Sequence, residues 1–561
     1  MTSRREFLQT AAALAAIVPG GWSRALAQQR LRQADLIDFE PLGNVTLVHI
    51  ADLHAQLVPI YFREPSVNLG VGDARGRVPH LTGGALLDLY GIRRGAPLAH
   101  ALSAEDFTAL AKAYGRMGGL DRIATVLAAI RAERGDRVAF LDGGDTWQNS
   151  YTSLVSKGQD MVDCMAVLRP DAMVGHWEFT LGAQRVKEIV QSLGFPFLAL
   201  NVRDTEWDEP VFPAMTMIER GGVAIAVLGQ AYPYTPIANP RWMIPNWSFG
   251  IREGEVRAQV EKARAAGAEL VVLLSHNGFD IDRKLAARVP GIDVVLTAHG
   301  HDALPAVVEV GSTLLVASGS HGKFVSRLDL DVRGGAVKAY RFKLIPIFAD
   351  AIAPEPEMAA RIAALRAPHI AHLGELLGRA GALLYRRSNF NGTLDDVICD
   401  ALLAERDAEI ALSPGFRWGA SLVEGDAITR EDIYNATAVT YPAAYRTTMR
   451  GARLKDILED VADNLFNPDP YYQQGGDMVR VGGIGYTIDV GAPIGRRISD
   501  LRLLRSGAPL DPAKDYVVAG WASVNEGTEG PPIWDVVGKH IAARRGEVAP
   551  AAAGQVRVIG G

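Results

Sequence analysis

Five short polar clusters hold the residues of this chain that could do chemistry. They are Asp52-Leu53-His54, Gly143-Gly144-Asp145, Gly175-His176-Trp177-Glu178, Ser275-His276-Asn277-Gly278 and His299-Gly300-His301-Asp302. Carboxylates and neutral imidazoles in that number are a ligand set for two divalent cations, and such ions can lower the pKa of a bound water to about 7 and make it a nucleophile. Glycines beside the ligands permit tight turns and close backbone approach. Alone, His276 or His299 would read as a hydrogen-bonded core residue, and Asp52 or Asp145 as a helix cap. Five such clusters in succession argue instead for a metal centre.

Each cluster follows an apolar, strand-like run at once: Val45–Ala51, Val138–Leu141, Met173-Val174, Leu270–Leu274 and Ile292–Ala298. Further runs lie at Val223–Leu228 and Thr313–Val316, and Leu120–Arg134 and Ile251–Ala266 have helical spacing. The pattern is α/β, and the carboxyl ends of parallel strands open into one crevice, so distant clusters can converge. His49, inside the first strand, and His100, in a long insertion, lack this context. His80, His369, His372 and His540 are also read as structural, and His321, in Gly319-Ser320-His321-Gly322, stands nearest to an exception.

The 561 residues are 48% hydrophobic and 22% charged, with a net charge of −6 and no Lys/Arg stripe, which argues against a nucleic-acid surface. The two cysteines, Cys164 and Cys399, form no framework spacing. Thr2-Ser3-Arg4-Arg5-Glu6-Phe7-Leu8-Gln9, an apolar stretch from Ala11 to Val18, and Ala25-Leu26-Ala27 match a twin-arginine signal over residues 1–27. That route exports folded, cofactor-loaded proteins, which predicts metal loading in the cytoplasm and work in the periplasm, with no membrane anchor after cleavage. A catalytic domain is expected over 28–350, a linker helix over 351–378 and a substrate-binding domain over 379–561. The boundary is drawn where prolines between Ile345 and Met358 interrupt the pattern before an Ala/Leu-rich helix to about Leu377.

The order D-x-H, G-G-D, G-H-x-E, S-H-x-G and G-H-x-H, followed by a separate C-terminal domain, resembles the 5′-nucleotidase branch of the calcineurin-like dimetal phosphoesterases. Within it, Asp-Leu-His-Ala-Gln-Leu-Val-Pro, Gly-His-Trp-Glu-Phe-Thr and Ser-Asn-Phe-Asn-Gly-Thr look most like the thiosulfohydrolases of the periplasmic sulfur-oxidation system. The resemblance implies a four-layer α/β/β/α metallophosphoesterase domain and a smaller α/β C-terminal domain of 5′-nucleotidase type. It implies two manganese ions, one held by Asp52, His54, Asp145 and His301 and the other by Asp145, His176, His276 and His299. Asp145 would bridge them. Spacing alone equally admits zinc or iron. The implied substrate is a cysteine-bound thiosulfonate on the flexible C-terminal arm of a carrier, SoxYZ, from which the activated water would release sulfate.

Nucleotidases of this branch read G-N-H-E, with the His as general acid toward the leaving alkoxide and an Asp two residues past the Glu to support it. Here Trp177 stands at the acid position and Thr180 at that of the Asp. A thiol has a pKa of about 8.5 and leaves readily as the anion, so a site without the acid suits a sulfur leaving group. Asp145, His176, Trp177 and Arg417 are therefore the expected catalytic residues. Arg417, in Ser413-Pro414-Gly415-Phe416-Arg417-Trp418-Gly419, resembles the family's substrate-arginine loop and would clamp the sulfonate. Arg480, after a Gly-rich turn, and Trp177 are further expected substrate contacts, and Asn389 and Asn391 read as a turn. The insertion over 55–118, with Tyr61 and Arg63, is expected to shape the mouth.

Two other readings remain open from sequence. A periplasmic 5′-nucleotidase or cyclic-nucleotide phosphodiesterase would need an aromatic pair around a base, for which Phe390, Trp418 and Trp534 are available. A non-catalytic metal-binding accessory protein would be favoured by lost ligands, but all seven positions are filled.

Overall fold

The strand Leu270–Ser275 shows why the first domain has four layers. All six of its residues are buried. Leu270, Val272 and Leu274 pack with Val45, Leu47, Ala139 and Leu141 of a second sheet, while Val271 and Leu273 pack with Val256, Val260 and Leu285 of helices. A strand that alternates between two apolar environments must be covered on both faces. Each such Val or Leu contributes about 1.5–3 kcal/mol by leaving water.

The computed structural model describes residues 31–544, 546–550 and 555–560, so the signal expected over 1–27 lies outside the described residues. The first sheet has the order Ala336–Pro346, Phe324–Arg333, Val45–Ile50, Val138–Asp142, Ala172–Met173. The second runs Val308–Val310, Thr313–Ala317, Val294–Thr297, Leu270–Ser275, Val223–Gln230, Met215–Arg220. The strands that lead into the polar clusters are mutually parallel within each sheet. Helices Leu120–Arg134, Gln159–Leu168 and Pro356–Arg366 cover the outer face of the first sheet, and Glu253–Ala265 and Phe279–Arg288 that of the second. The result is the α/β/β/α sandwich.

The hairpin Phe324–Arg333/Ala336–Pro346 is absent from the strand-like runs read in the sequence because one face of its first strand carries charge into the interior. Arg327 and Asp329 are both buried. They bond to one another at 3.0 Å, and Thr46 donates to Asp329 at 2.8 Å while Arg327 pairs with Glu133 at 2.5 Å.

The linker region also differs from expectation. The helix ends at Arg366, a single turn Ala367–His369 contains Pro368, and after Ile370–Leu373 the chain enters a strand at Leu376–Ala380. Met358 and Ile362 lie in the first domain's core, so this helix belongs to that domain by packing.

The second domain is built on the sheet Tyr445–Arg450, Asp515–Gly520, Ile410–Ser413, Arg480–Gly482, with helices Thr393–Glu405, Gly451–Phe466 and Ile533–Ala543. The insertion over 55–118 fastens it above the strand ends. Ser421 N donates to Tyr61 O at 2.6 Å, Asn389 N to Val67 O at 3.2 Å and Leu69 N to Asn389 Oδ1 at 2.6 Å, and the Arg63 guanidinium lies 4.1 Å over the Tyr385 ring. Asn389 is therefore an interdomain staple and not merely a turn residue. Among the described residues no helix is long and apolar enough to cross a membrane.

Candidate dimetal centre

The clusters leave the carboxyl ends of three strands of the first sheet and two of the second, and they meet in the crevice between them. Asp145, His176, His276 and His299 form one group, and Asp52, His54, Asp145 and His301 another. Within each group the ligand atoms lie within 4.8 Å of one another and every residue is buried. Asp145 is common to both. The structure thus brings together all seven expected ligand residues, in the two groups that the family resemblance implied.

Five of the seven hold a backbone conformation that side chains rarely adopt. Asp52, His54, Asp145, His299 and His301 have φ of 52°, 49°, 56°, 72° and 60°. Each costs on the order of 1–2 kcal/mol outside glycine, and such strain gathers where a site must be over-determined. Neighbouring backbone holds it: Asp52 N donates to Gly144 O at 2.9 Å, His54 N to Asp145 O at 2.8 Å and His321 N to Asp52 O at 2.8 Å. Gly144, at φ 85°, is required, because a Cβ there would sit 2.7 Å from Val174 O. Glu178, buried, accepts from His176 N at 2.8 Å and Thr146 N at 2.7 Å and so ties two ligand loops together.

The donor set fits cations. His276 Nδ1 donates to Gly143 O at 2.5 Å, which leaves Nε2 as a lone pair facing Asp145 Oδ2 at 3.2 Å. Two acceptors in that position need a cation between them, a proton or a metal. His54 Nδ1 lies 2.8 Å from Asn149 Oδ1, and its Nε2 meets His301 Nε2 at 2.8 Å. His176 Nε2 and His301 Nδ1 are buried without a hydrogen-bond partner.

Burial, reinforced by neighbouring imidazoles and arginines, holds His299 and His301 well below the usual histidine range, and burial also lowers His54 and His176, which favours the neutral form that can ligate a cation. Burial would lower His276 too, but Asp145 and Asp52 raise it to about 9. For Asp145, burial opposes ionisation and His176 and His276 overcome it, holding it well below the carboxylate range.

Trp177 is where the second domain closes on this centre. Its backbone N–H donates to Asp145 Oδ1 at 2.7 Å. Its ring lies 4.9 Å from Trp418, 5.1 Å from Phe416 and 6.1 Å from Tyr441, all in the second domain. Trp418 in turn stacks on His54 at 5.7 Å. The Thr180 hydroxyl donates to Trp177 O at 2.8 Å and accepts from Gln148 at 3.0 Å. Tyr232, whose ring lies 4.0 Å from His176 and 4.4 Å from His299, donates its hydroxyl to Gln474 O at 2.7 Å.

Residues 369–537 match the model of the 5′-nucleotidase C-terminal domain. The mouse 5′-nucleotidase is 23% identical over 479 residues, covering 76% of this chain and 81% of its own length. A 5′-nucleotidase precursor from Thermus thermophilus shares the fold at TM-score 0.72 and 21% identity, covering 92% of this chain and 99% of its own. The sulfate thiohydrolase SoxB of Thermus thermophilus superposes at TM-score 0.89 with 37% identity, covering 93% of this chain and 98% of its own. The chain is a SoxB-type member of the 5′-nucleotidase family. It therefore stands among dimetal hydrolases of the calcineurin-like kind.

The arginines of this SoxB-type chain divide in two. Arg417 donates to Gly300 O at 3.2 Å and to Gly476 O at 2.6 Å, beside the His299-Gly300-His301 loop. Arg387, to which the sequence drew no attention, donates to the same Gly300 O at 3.0 Å. It is buried with Nε and Nη1 lacking a hydrogen bond, Nη1 lying 3.7 Å from Asp477, and it acts electrostatically on His301 and His321. Arg480 differs from its expected role as a substrate contact. It is fully buried within the second domain and donates to Arg386 O at 3.3 Å, Ser388 O at 2.8 Å and Asp477 Oδ2 at 3.0 Å, with Asp395 at 3.3 Å.

Among the other histidines, His321 stands beside the centre, stacked on Phe62 at 4.0 Å with its ring 5.1 Å from His54. His49 bonds Ser318 Oγ at 2.7 Å, His80 bonds Asp280 at 2.6 Å and His100 packs on Phe107 at 5.4 Å.

Proposed function

We propose that this chain is a thiosulfohydrolase that removes the terminal sulfonate of a cysteine-bound thiosulfonate as sulfate, working in the periplasm on a carrier of the SoxYZ kind. The observation that carries the reading is Trp177, a ring sealed against Trp418, Phe416 and Tyr441 where the family's proton donor would stand. Divalent ions held by the seven ligands, manganese by the family resemblance, would supply Lewis acidity and a nucleophilic water at neutral pH. Arg417 and Arg387, converging on Gly300 O, offer guanidinium donors to a tetrahedral anion, and sulfonate is shaped like phosphate. Trp177 and its neighbours exclude water, which strengthens those contacts. The persulfide leaves as its anion, so no protonated side chain is needed on the leaving side.

The nucleotidase reading has less support. Phe390 is half-buried against the cluster that holds Ile410 and Tyr486, Trp534 lies against Tyr434 at 5.4 Å, and Trp418 already has Phe416 stacked on it at 4.0 Å. The twin-arginine segment supports export, and Tyr61 and Arg63, in an insertion that bridges the domains, support a mouth shaped for a protein arm.

Purified metal-loaded protein should release sulfate from carrier-bound cysteine S-thiosulfonate and little phosphate from AMP. The opposite pattern sinks the thiosulfohydrolase reading, and turnover of neither favours an accessory role.

A further inference from the structure

His276 and His299 follow neighbouring parallel strands whose last residues, Ser275 and Thr297, are register partners. Beyond them the chain leaves the sheet in two loops, joined by one backbone bond from Ala298 N to Ser275 O at 2.9 Å. The spacing of the two imidazoles then depends on whatever else spans the gap. Asp282, from the helix Phe279–Arg288, spans it, with its side chain fully buried. Its Oδ1 accepts from Ser275 Oγ at 2.7 Å and Asn277 Nδ2 at 2.9 Å, and its Oδ2 accepts from Thr297 Oγ1 at 2.5 Å. One carboxylate thus holds the residue before His276, the residue after it and the residue two before His299.

Among the described residues Asp282 has no ion pair with Lys or Arg. A buried carboxylate held only by neutral donors is a poor way to add stability, since desolvation costs several kcal/mol and an apolar side chain of that size would pack as well. What it provides is geometry. A carboxylate presents two oxygens with about four acceptor directions, whereas an amide offers only one accepting atom. The Asp145 loop has buried carboxylates of its own, Asp142 accepting from Gly144 N at 3.0 Å and Thr146 Oγ1 at 2.8 Å and Glu178 from Thr146 N at 2.7 Å, whereas Asp282 joins the residues on either side of His276 to the strand end before His299.

We propose that Asp282 is the positioning residue of the half-site formed by His176, His276 and His299 with Asp145. It sets the separation of His276 and His299, and hence that half-site's affinity for a cation, without touching the ion. The inference rests on the dimetal reading of the centre and is independent of the reaction it performs.

The test is equilibrium binding of Mn²⁺ to the full chain, read as stoichiometry and as the electron paramagnetic resonance signal, which distinguishes an exchange-coupled pair from an isolated ion. Wild type should bind two ions and give the coupled signal. Asp282→Asn should keep one tight ion, weaken the second by about 10–100-fold as loss of an outer-shell partner does, and show the isolated six-line signal. Thr297→Val, which removes one of the three bonds and leaves the carboxylate, should fall between them and guards against a folding failure of the first variant. If both variants hold two ions with wild-type affinity and the coupled signal, even at a lower melting temperature, Asp282 is scaffold and the proposal is overturned. A wild type that takes up fewer than two ions overturns the dimetal reading and this proposal with it.

Discussion

The first domain's ligand shell and the second domain's arginine cluster meet at Gly300, yet they are built differently. The loops of Asp52, His54 and Asp145 are anchored backbone to backbone at strand ends, Asp52 N on Gly144 O and His54 N on Asp145 O. The arginines are held through their side chains: Arg386 by Asp395 at 2.7 Å and Arg480 by Asp477 at 3.0 Å, Arg417 by Gly476 O at 2.6 Å and Arg387 by Gly300 O at 3.0 Å, with Asp477 more loosely near these last two at 3.6 and 3.7 Å. Four guanidinium groups share Asp395, Asp477 and, for Arg387, Asp302 at 3.9 Å. Arg387 and Arg417, whose carboxylate contacts are the longest of the four, are the two that reach Gly300 O between His299 and His301. An imidazole at a strand end has its role set by the few residues around it, whereas an arginine's role is set by whichever carboxylate or ligand stands opposite.

The sharpest break between the two regions is expected at Asp145. Because it belongs to both ligand groups, Asp145→Ala should remove both ions and several kcal/mol of transition-state stabilisation, roughly 10³-fold or more in kcat/KM. Metal analysis beside the kinetics checks it. Any arginine variant should retain both ions, and one that lost them would show that the two regions are not separable.

Next in size is the split within the arginines. Arg480→Met leaves Asp395 and Asp477 short of a buried cation, and removing one partner of such a network costs about 3–5 kcal/mol. Arg386 still holds Asp395, so the lower end is expected. Urea unfolding should show the loss while the folded fraction keeps its kcat/KM. Wild-type stability with a raised KM would restore Arg480 to the substrate.

This division marks how far the sequence could be read. The ligand clusters were visible because parallel strands are short continuous apolar runs and the polar residues sit immediately beyond them. Arg387 was not visible: in Tyr385-Arg386-Arg387-Ser388 nothing local separates an arginine that braces Asp395 from one that faces the metals. Arg480 misled because it follows the Gly-rich turn Gly475-Gly476. Gly475 is instead needed where the backbone passes His299, with a Cβ there only 2.5 Å from His299 Nε2. The Phe324–Arg333 strand escaped notice for the same physical reason, since its buried Arg327 and Asp329 read as surface until their partners are known.

Smaller effects are expected at the arginines that face the centre. Charged hydrogen bonds contribute about 1.5–3 kcal/mol each, and lysine cannot reproduce a guanidinium fork. Arg417→Lys and Arg387→Lys should each raise KM for the thiosulfonate by about 10–100-fold with both ions retained. A change confined to kcat would mean that they act on the transition state alone and do not hold the bound anion.

The smallest effect is expected at Trp177, where the two regions touch. A general acid contributes about 10²–10⁴-fold, but an imidazole introduced by Trp177→His would lack the carboxylate that fixes its tautomer, because Thr180 stands there with its hydroxyl already bonded to residue 177's carbonyl and to Gln148. The gain should therefore fall below that range, about tenfold in phosphate release from AMP. It should be absent for a phosphorothiolate, whose thiol leaves without help. Opening the packing against Trp418 and Phe416 admits water and should lower thiosulfonate turnover in the same variant. Measuring kcat/KM for the oxygen ester and the sulfur ester side by side separates the two roles. A rise for the oxygen ester alone assigns Trp177 to leaving-group selection; an equal rise for both would mean that the tryptophan acts only by filling space, and the contrast between a proton-donating and a sealed centre would lose its chemical basis.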